Sequence, residues 1–393
     1  MRLLSAFAAT SIVLGGLAVH GGTRAVTSTA SEHFVLDHNR VFVPLEFVQP
    51  DGKLRTTLAF VDSGDPNFGI MQPLAQALHV KNGGAVRVRI AGMDLHLPLD
   101  LVVGTDPGRT MFAGMDVEAS LPATILDQYD VNLDYAKRTL TLAPPGSLKH
   151  EGARIPCKVN PRTGLVSVQA DIGGQSYAFA IDAGSAYTWI DRTVAQKWTT
   201  THPQWVRGVG AVGDANMNGA LPELTGTILR LPVIHVGTLA FEQVGALAVS
   251  GGWDKAGPSL FQWYSQKTPE PVAGFIGGNI LRQFRVEIDY ANGATYWERV
   301  APPDPGDLDQ VGITIGVHGG KYSVIALPTQ NGKATVHGVA VNDELLRVDG
   351  VAVTGATMGK VLTALHGRPG EIRRLVLERN GKSFNVNAPI TRF

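Results

Sequence analysis

Cysteine is all but absent. Cys157 is the only one in 393 residues, so no intrachain disulfide can form. A chain of this length buries enough apolar surface to fold without such cross-links. An excess of one charge is also lacking: 34 Lys and Arg balance 34 Asp and Glu, and no basic stripe stands out. This excludes the electrostatic footprint of a nucleic-acid binder. Beyond residue 25 no apolar run is long enough to span a bilayer as a helix. There is no His-Glu-x-x-His, no paired-cysteine zinc spacing and no Gly-x-Ser-x-Gly elbow, and the 11 His are scattered. Neither a metal nor a cofactor is therefore expected. His235, between apolar neighbours, reads as a packed strand residue, and Cys157 has no evident base to activate it.

Glycine and proline are plentiful, at 46 and 23, alongside 44% hydrophobic residues and few long amphipathic runs. Such a composition predicts a mainly β chain, rich in turns, with two or three domains. Residues 1–25 read as a secretory signal. Arg2 precedes the apolar stretch Leu3–Val19, and Thr23-Arg24-Ala25 offers small residues for cleavage. A membrane anchor is the competing reading, but the stretch is short and Gly15-Gly16 breaks it. The expectation is an exported protein, periplasmic or extracellular, with no membrane span after cleavage. A lone cysteine suits a bacterial periplasm, where a large core makes disulfides unnecessary.

The chain carries a unit written twice. From Val41 to Phe47 apolar residues alternate as in a half-buried strand, and Asp51-Gly52 marks a turn. Thr57-Leu58-Ala59-Phe60-Val61-Asp62-Ser63-Gly64 then overlies Tyr177–Gly184 at a shift of 120 residues. Ile70 falls on Ile190 and Leu78 on Trp198, so the short helical segment after the loop repeats as well. Further on, Ile125–Ala136 matches Ile280–Ala291 without a gap at a shift of 155, and each copy runs into Ala-Pro-Pro. A single strand-end Asp followed by Gly signals no more than a turn. Two copies in register signal a paired site.

A strand bearing Asp-(Ser/Thr)-Gly, later an apolar-Gly-x-x-x-Leu segment, then Phe-x-Val-x-Ile-Asp-Tyr, resembles the retropepsin-like aspartyl protease family. Phe275-Ile276-Gly277-Gly278-Asn279-Ile280-Leu281 fits the second signature. The resemblance implies two tandem acid-protease β-barrel lobes, at 33–146 and 150–300, whose loops face each other across a pseudo-twofold axis. It implies Asp62 and Asp182 as the catalytic pair, with Ser63, Gly64, Asp65, Gly184 and Ser185 as supporting loop residues. Ser185 sits where the family often has a hydroxyl bonded to the catalytic carboxylate. The substrate implied is a peptide or an unfolded protein.

Three departures from the family pattern leave a second reading open, that of a non-catalytic peptide-binding scaffold. Ala183 replaces the hydroxyl residue that cross-braces the loops, Asp65 puts a further acid beside Asp62, and Pro122 stands in for the glycine equivalent to Gly277. A third reading pairs Asp182 from two chains. The two shifts differ by 35 residues, so the second lobe carries an insertion. Its Gly208–Gly219 is expected to form a mobile flap, and its Trp253, Trp263 and Tyr264 to wall a groove or pack the loop. Gly208-Val209-Gly210-Ala211-Val212-Gly213 spells a dinucleotide fingerprint, but turn-forming residues follow it in place of an apolar helix.

Residues 308–393 have the size of a small α/β domain. Val336–Gly350 followed by a helix at Met358–Leu365, a break at Arg368-Pro369-Gly370 and a strand at Ile372–Leu377 resembles the PDZ family. That resemblance implies capture of a peptide C-terminus, with Gly312 and Ile313 in the carboxylate loop.

Overall fold

The computed structural model describes residues 28–97, 101–104, 112–214, 221–249 and 259–393. The expected leader at 1–25 and Trp253 lie outside the described residues. The protein is mainly β, and its strands close into barrel-like sheets.

The repeat seen in the sequence is a repeat of structure. In the first unit, strand Arg40–Val48 folds back through Asp51-Gly52 onto strand Leu54–Asp62, with Gly52 supplying the positive φ of the turn. Val43, Leu45 and Phe47 are fully buried while Pro44, Glu46 and Val48 are less so, as the alternation requires. Leu54–Asp62 then pairs in parallel with Val117–Pro122. In the second unit, Val166–Ile172 and Gln175–Ile181 form the matching hairpin, and Gln175–Ile181 pairs in parallel with Gly274–Ile276. Each aspartate thus leaves the end of a strand flanked on both sides, in a position that backbone hydrogen bonds hold still.

Helices follow at the predicted shifts: Gln72–Ala77 matches Arg192–Thr201, and Ala123–Leu126 matches Gly278–Leu281. Pro122 and Gly277 are the equivalent N-cap residues. The substitution has a local reason. A Cβ on Gly277 would lie 2.2 Å from the Tyr187 carbonyl oxygen, whereas Pro122 has φ −84°, which proline adopts without strain.

The units meet along their closing strands. Asp130–Asp134 runs antiparallel to Phe284–Asp289, with Asn132 opposite Glu287. Those two residues are equivalents at the shift of 155, so a pseudo-twofold axis passes between them. Six strands form this shared layer, in the order Ala30–His33, Thr139–Ala143, Asp130–Asp134, Phe284–Asp289, Ala294–Arg299 and Ala153–Val159. One apolar core runs through both units, from Val43 and Leu121 through Val131 and Ile288 to Phe284 and Trp297.

Residues 311–390 build a separate core around Ile315, Val324, Val348, Val361, Leu365 and Leu377. Its helix, Met358–Leu365, is capped by the Thr357 hydroxyl, which accepts from the Lys360 N–H. This C-terminal unit is bound to the rest of the chain. Gly213-Asp214 adds to strand Thr314–His318 in parallel, and Val209 pairs with Thr329. Arg230, 1% exposed, donates to the carboxylate of Asp307, to the Gln243 carbonyl at 2.7 Å and to the Phe393 main-chain oxygen. Asp309 lies 3.7 Å from the same guanidinium.

Two expectations are corrected here. The first half of the expected flap, Gly208–Asp214, is tied into sheets on both sides, and 215–219 lie outside the described residues. Gly312 and Ile313 are buried and covered by the chain itself. Thr335 and the Phe393 ring fill the space over Gly312, and the Ile313 carbonyl accepts the Gly213 N–H at 2.9 Å. The loop that a peptide C-terminus would occupy is therefore spent on internal packing. Short sequence motifs report local geometry and carry no information about which distant segment lands on them.

Replacing Arg230 by Met would leave the Asp307 carboxylate buried without its cation, while Asp309 keeps its pair with Arg392 at 2.7 Å. Arg230→Met is expected to lose about 3–5 kcal/mol of stability, measured by urea unfolding at neutral pH.

Candidate active site

Asp62 is the last residue of its strand, and Asp182 follows its strand immediately, donating its N–H to the Ile276 carbonyl at 3.0 Å. The Asp62 Oδ1 accepts the Gly64 N–H at 3.1 Å. The Asp182 Oδ1 accepts the N–H groups of Gly184 and Ser185 at 2.9 and 3.1 Å. The two loops face one another. A Cβ on Gly64 would lie 2.5 Å from the Asp182 carboxyl carbon, and a Cβ on Gly184 would lie 2.5 Å from the Asp62 Oδ1. Each carboxylate therefore rests against the glycine of the opposite loop, and no larger residue leaves it room.

The cross-brace is one-sided, as the sequence implies. The Ser63 hydroxyl donates to the Ile181 carbonyl and accepts from the Ala183 N–H, both at 2.9 Å, and so bridges the units. Ala183 has no hydroxyl to return the bond. The Ser185 hydroxyl donates to the Tyr187 carbonyl at 2.8 Å, and its N–H is the group bonded to the acid. Asp65 occupies the equivalent place: its carbonyl accepts the Ala123 N–H as the Ser185 carbonyl accepts that of Gly278. The Asp65 carboxylate accepts two bonds from Asn67, through the backbone N–H and the side-chain amide, each 2.8 Å.

The three acids share one electrostatic environment. Burial pushes Asp62 well above the usual carboxylate range, and the negative charges of Asp182 and Asp65 add to the rise. Asp182, 5% exposed, is raised to about 6, chiefly by burial, against the pull of its two backbone N–H donors and of Arg40. Burial raises Asp65 to about 6 as well, while its Asn67 bonds and the Lys267 charge pull the other way. Tyr264, on helix Leu260–Ser265 of the insertion, has its phenol held protonated by burial and by the charges of all three acids. Its ring packs on Phe275 with centroids 4.3 Å apart, and beside it the Lys267 ammonium lies 4.8 Å from the Trp263 ring centre. Of the insertion aromatics Trp263 and Tyr264, both among the described residues, Tyr264 is the one whose surroundings include the acids.

Two residues here carry no sequence signal. Arg40, 2% exposed, donates from Nε to the Gly184 carbonyl at 2.9 Å, and its charge lowers the pKa of both Asp62 and Asp182. Asn39 donates its amide to the Ala186 carbonyl at 3.1 Å. Asp37-His38-Asn39-Arg40 is legible as a hairpin turn, but the contact it makes some 145 residues away is not. Among the described residues there is no cluster of His, Cys, Asp and Glu fit to hold a metal ion. No protein-family model matches the chain, and no curated protein matches it.

Chemically, the site is a pair of mutually repelling carboxyls partly out of water, with a third acid alongside. The third acid has a measurable consequence. Below about pH 4 Asp65 is protonated in both the folded and unfolded chain; as pH rises toward 6 the folded state keeps the proton longer, so this acid's contribution to stability falls through that window. Asp65→Asn, which keeps an acceptor for Asn67, is expected to be about 2 kcal/mol more stable than wild type above pH 7 and no different below pH 4, by denaturant unfolding across pH.

Proposed function

We propose that the chain is an exported aspartic-type endopeptidase whose two catalytic carboxyls, Asp62 and Asp182, come from the two repeats of one polypeptide. The observation that carries this reading is the reciprocal packing of each carboxylate against the glycine of the opposite loop. Like charges this close cannot both ionise at little cost, so the pair keeps one proton between them. In that state one carboxylate accepts a proton from an attacking water while the other donates its proton to the oxygen of the scissile carbonyl. The resulting diol collapses as the protonated carboxyl gives its proton to the leaving nitrogen while the other carboxylate takes one from a diol hydroxyl, so the pair again holds one proton. The apparent pKa values belong to the pair, so neither role is assigned to one residue. The substrate class is an extended peptide or an unfolded protein segment.

A pairing of Asp182 from two chains is disfavoured, since it would require withdrawing Asp182 from Gly64 of its own chain. The reading from a different class, a peptide-binding shell without catalysis, rests on the one-sided Ser63 brace. The C-terminal unit keeps its resemblance to the PDZ family as part of the proposal. The covering of Gly312 and Ile313 supports a role in holding the two repeats over one in capturing free C-termini.

Asp62→Asn and Asp182→Asn, made separately, are each expected to lower cleavage of a mixed peptide library in the acid range by about 10³-fold. Loss in the Asp182 variant alone would point to the two-chain pair. A folded wild type that cuts nothing between acid and neutral pH would leave the shell.

A further inference from the structure

We propose that Arg40 is a positioning residue for the acid pair, adding a second tie between loops that Ser63 alone would join, and that the C-terminal unit fixes Arg40 through Asp37. The catalytic part of this inference rests on the hydrolase reading above.

Arg40 sits at the end of a two-residue hairpin turn. His38 and Asn39 have φ of 46° and 63°, the left-handed pair that matches the twist of the strands Val35–Asp37 and Arg40–Val48. This turn belongs to the first repeat yet is fastened to the second at three points. Arg40 Nε bonds the Gly184 carbonyl, the Asn39 amide bonds the Ala186 carbonyl, and the Asn39 carbonyl packs on Gly278, where a Cβ would meet it at 2.1 Å. Ser63 reaches across from the first repeat to hold Ile181 and Ala183 on one flank of Asp182. Arg40 and Asn39 hold Gly184 and Ala186 on the other. The loop of the second repeat is thus braced from both sides by the first, so the two loops keep a second tie although Ala183 returns no bond.

The charge fits the same role. A buried guanidinium is tolerated only beside compensating negative charge. Two carboxyls holding one proton carry one negative charge, which one guanidinium balances. The other groups facing the pair are Asp65, which raises both acids, and the phenols of Tyr264 and Tyr135, with Lys267 acting on Asp65.

The turn is in turn clamped by the C-terminal unit. Asp37 accepts the Thr357 hydroxyl at 2.5 Å on one oxygen and the Gly359 N–H at 2.8 Å on the other, closing the N-terminus of helix Met358–Leu365. Gly359 sits so tightly on the turn that a Cβ would lie 2.6 Å from the His38 nitrogen. A second route runs through consecutive residues of the first repeat. The Phe112 ring lies 5.7 Å from the Arg40 guanidinium, Ala113 is part of the C-terminal core, and Gly114 packs on the Ala356 carbonyl. Helix Met358–Leu365 therefore controls where Arg40 stands, without touching either acid.

The experiment measures peptide cleavage against pH, together with NMR titration of the Asp62 and Asp182 carboxyls, on the full chain. Arg40→Met is expected to move both limbs of the kcat profile and both carboxyl titrations upward by about one pH unit, and to lower kcat by about 10–100-fold. Arg40→Lys, which keeps the charge without the fork, should leave the limbs in place and recover part of kcat. Asp37→Ala should reproduce the loss in kcat with KM little changed, and adding it to Arg40→Met should cause no further loss. Unmoved carboxyl titrations in Arg40→Met, or losses from Asp37→Ala and Arg40→Met that multiply, would overturn the proposal. If Arg40→Met does not fold, Arg40→Lys and Asp37→Ala still decide it: normal kcat in both overturns it. If the wild type cleaves nothing, the hydrolase reading fails by itself, and the titrations of Asp62 and Asp182 in the Arg40 and Asp37 variants still report whether the brace exists.

Discussion

Like charges brought together away from bulk water repel, and the interface between the two repeats is arranged around that repulsion. Asp62 and Asp182 are each pressed against a glycine from the opposite loop, which is possible only because neither glycine carries a Cβ. Their separation is set by strands and not by side-chain flexibility. Both strands are hydrogen-bonded on two sides, and the shared layer pairing Asn132 with Glu287 fixes the halves about a single axis. A shift of either strand by one residue would turn its aspartate to the other face of its sheet. Raised proton affinity is the electrostatic expression of this confinement, and it underlies the acid–base chemistry proposed for the pair.

The repeats have diverged by dividing the work. The second repeat supplies the turn at Gly277, two N–H donors to Asp182, and the insertion whose Tyr264 lies near all three acids. From the first come Ser63, Asp65, Arg40 and Asn39, side chains that act on the partner loop or on the charge of the site. Ala183 and Pro122, which read as losses when each repeat is held to a family pattern, have local answers. Proline fits the extended N-cap of Ala123–Leu126, and the loop beyond Ala183 is held by the hairpin of the other repeat.

The C-terminal unit is part of this construction. Its strand Thr314–His318 takes Gly213-Asp214 as an added edge, and its helix is capped by Asp37 from the first repeat. Arg230, Asp307, Asp309 and Phe393 close the remaining seam. Backbone edges and helix ends that a free-standing module would offer to partners are satisfied internally, which follows from the high cost of leaving buried N–H and C=O groups unpaired.

By itself the sequence determined the mainly β character, the two registers of repetition, the strand-end placement of both aspartates and the half brace at Ser63, because all of these are written in local pattern and period. It also marked Tyr264 and Asp65 as residues to watch. Arg40, Asn39, Asp37, the covered loop at Gly312 and Ile313, and the anchored Gly208–Asp214 were decided only by tertiary structure. Each depends on which surface a turn or strand edge meets well beyond its own neighbourhood in the chain. Hydrophobic period and turn propensity act over a few residues, whereas the docking of a short polar turn is settled by the packing of whole units, and one chain's letters do not display it.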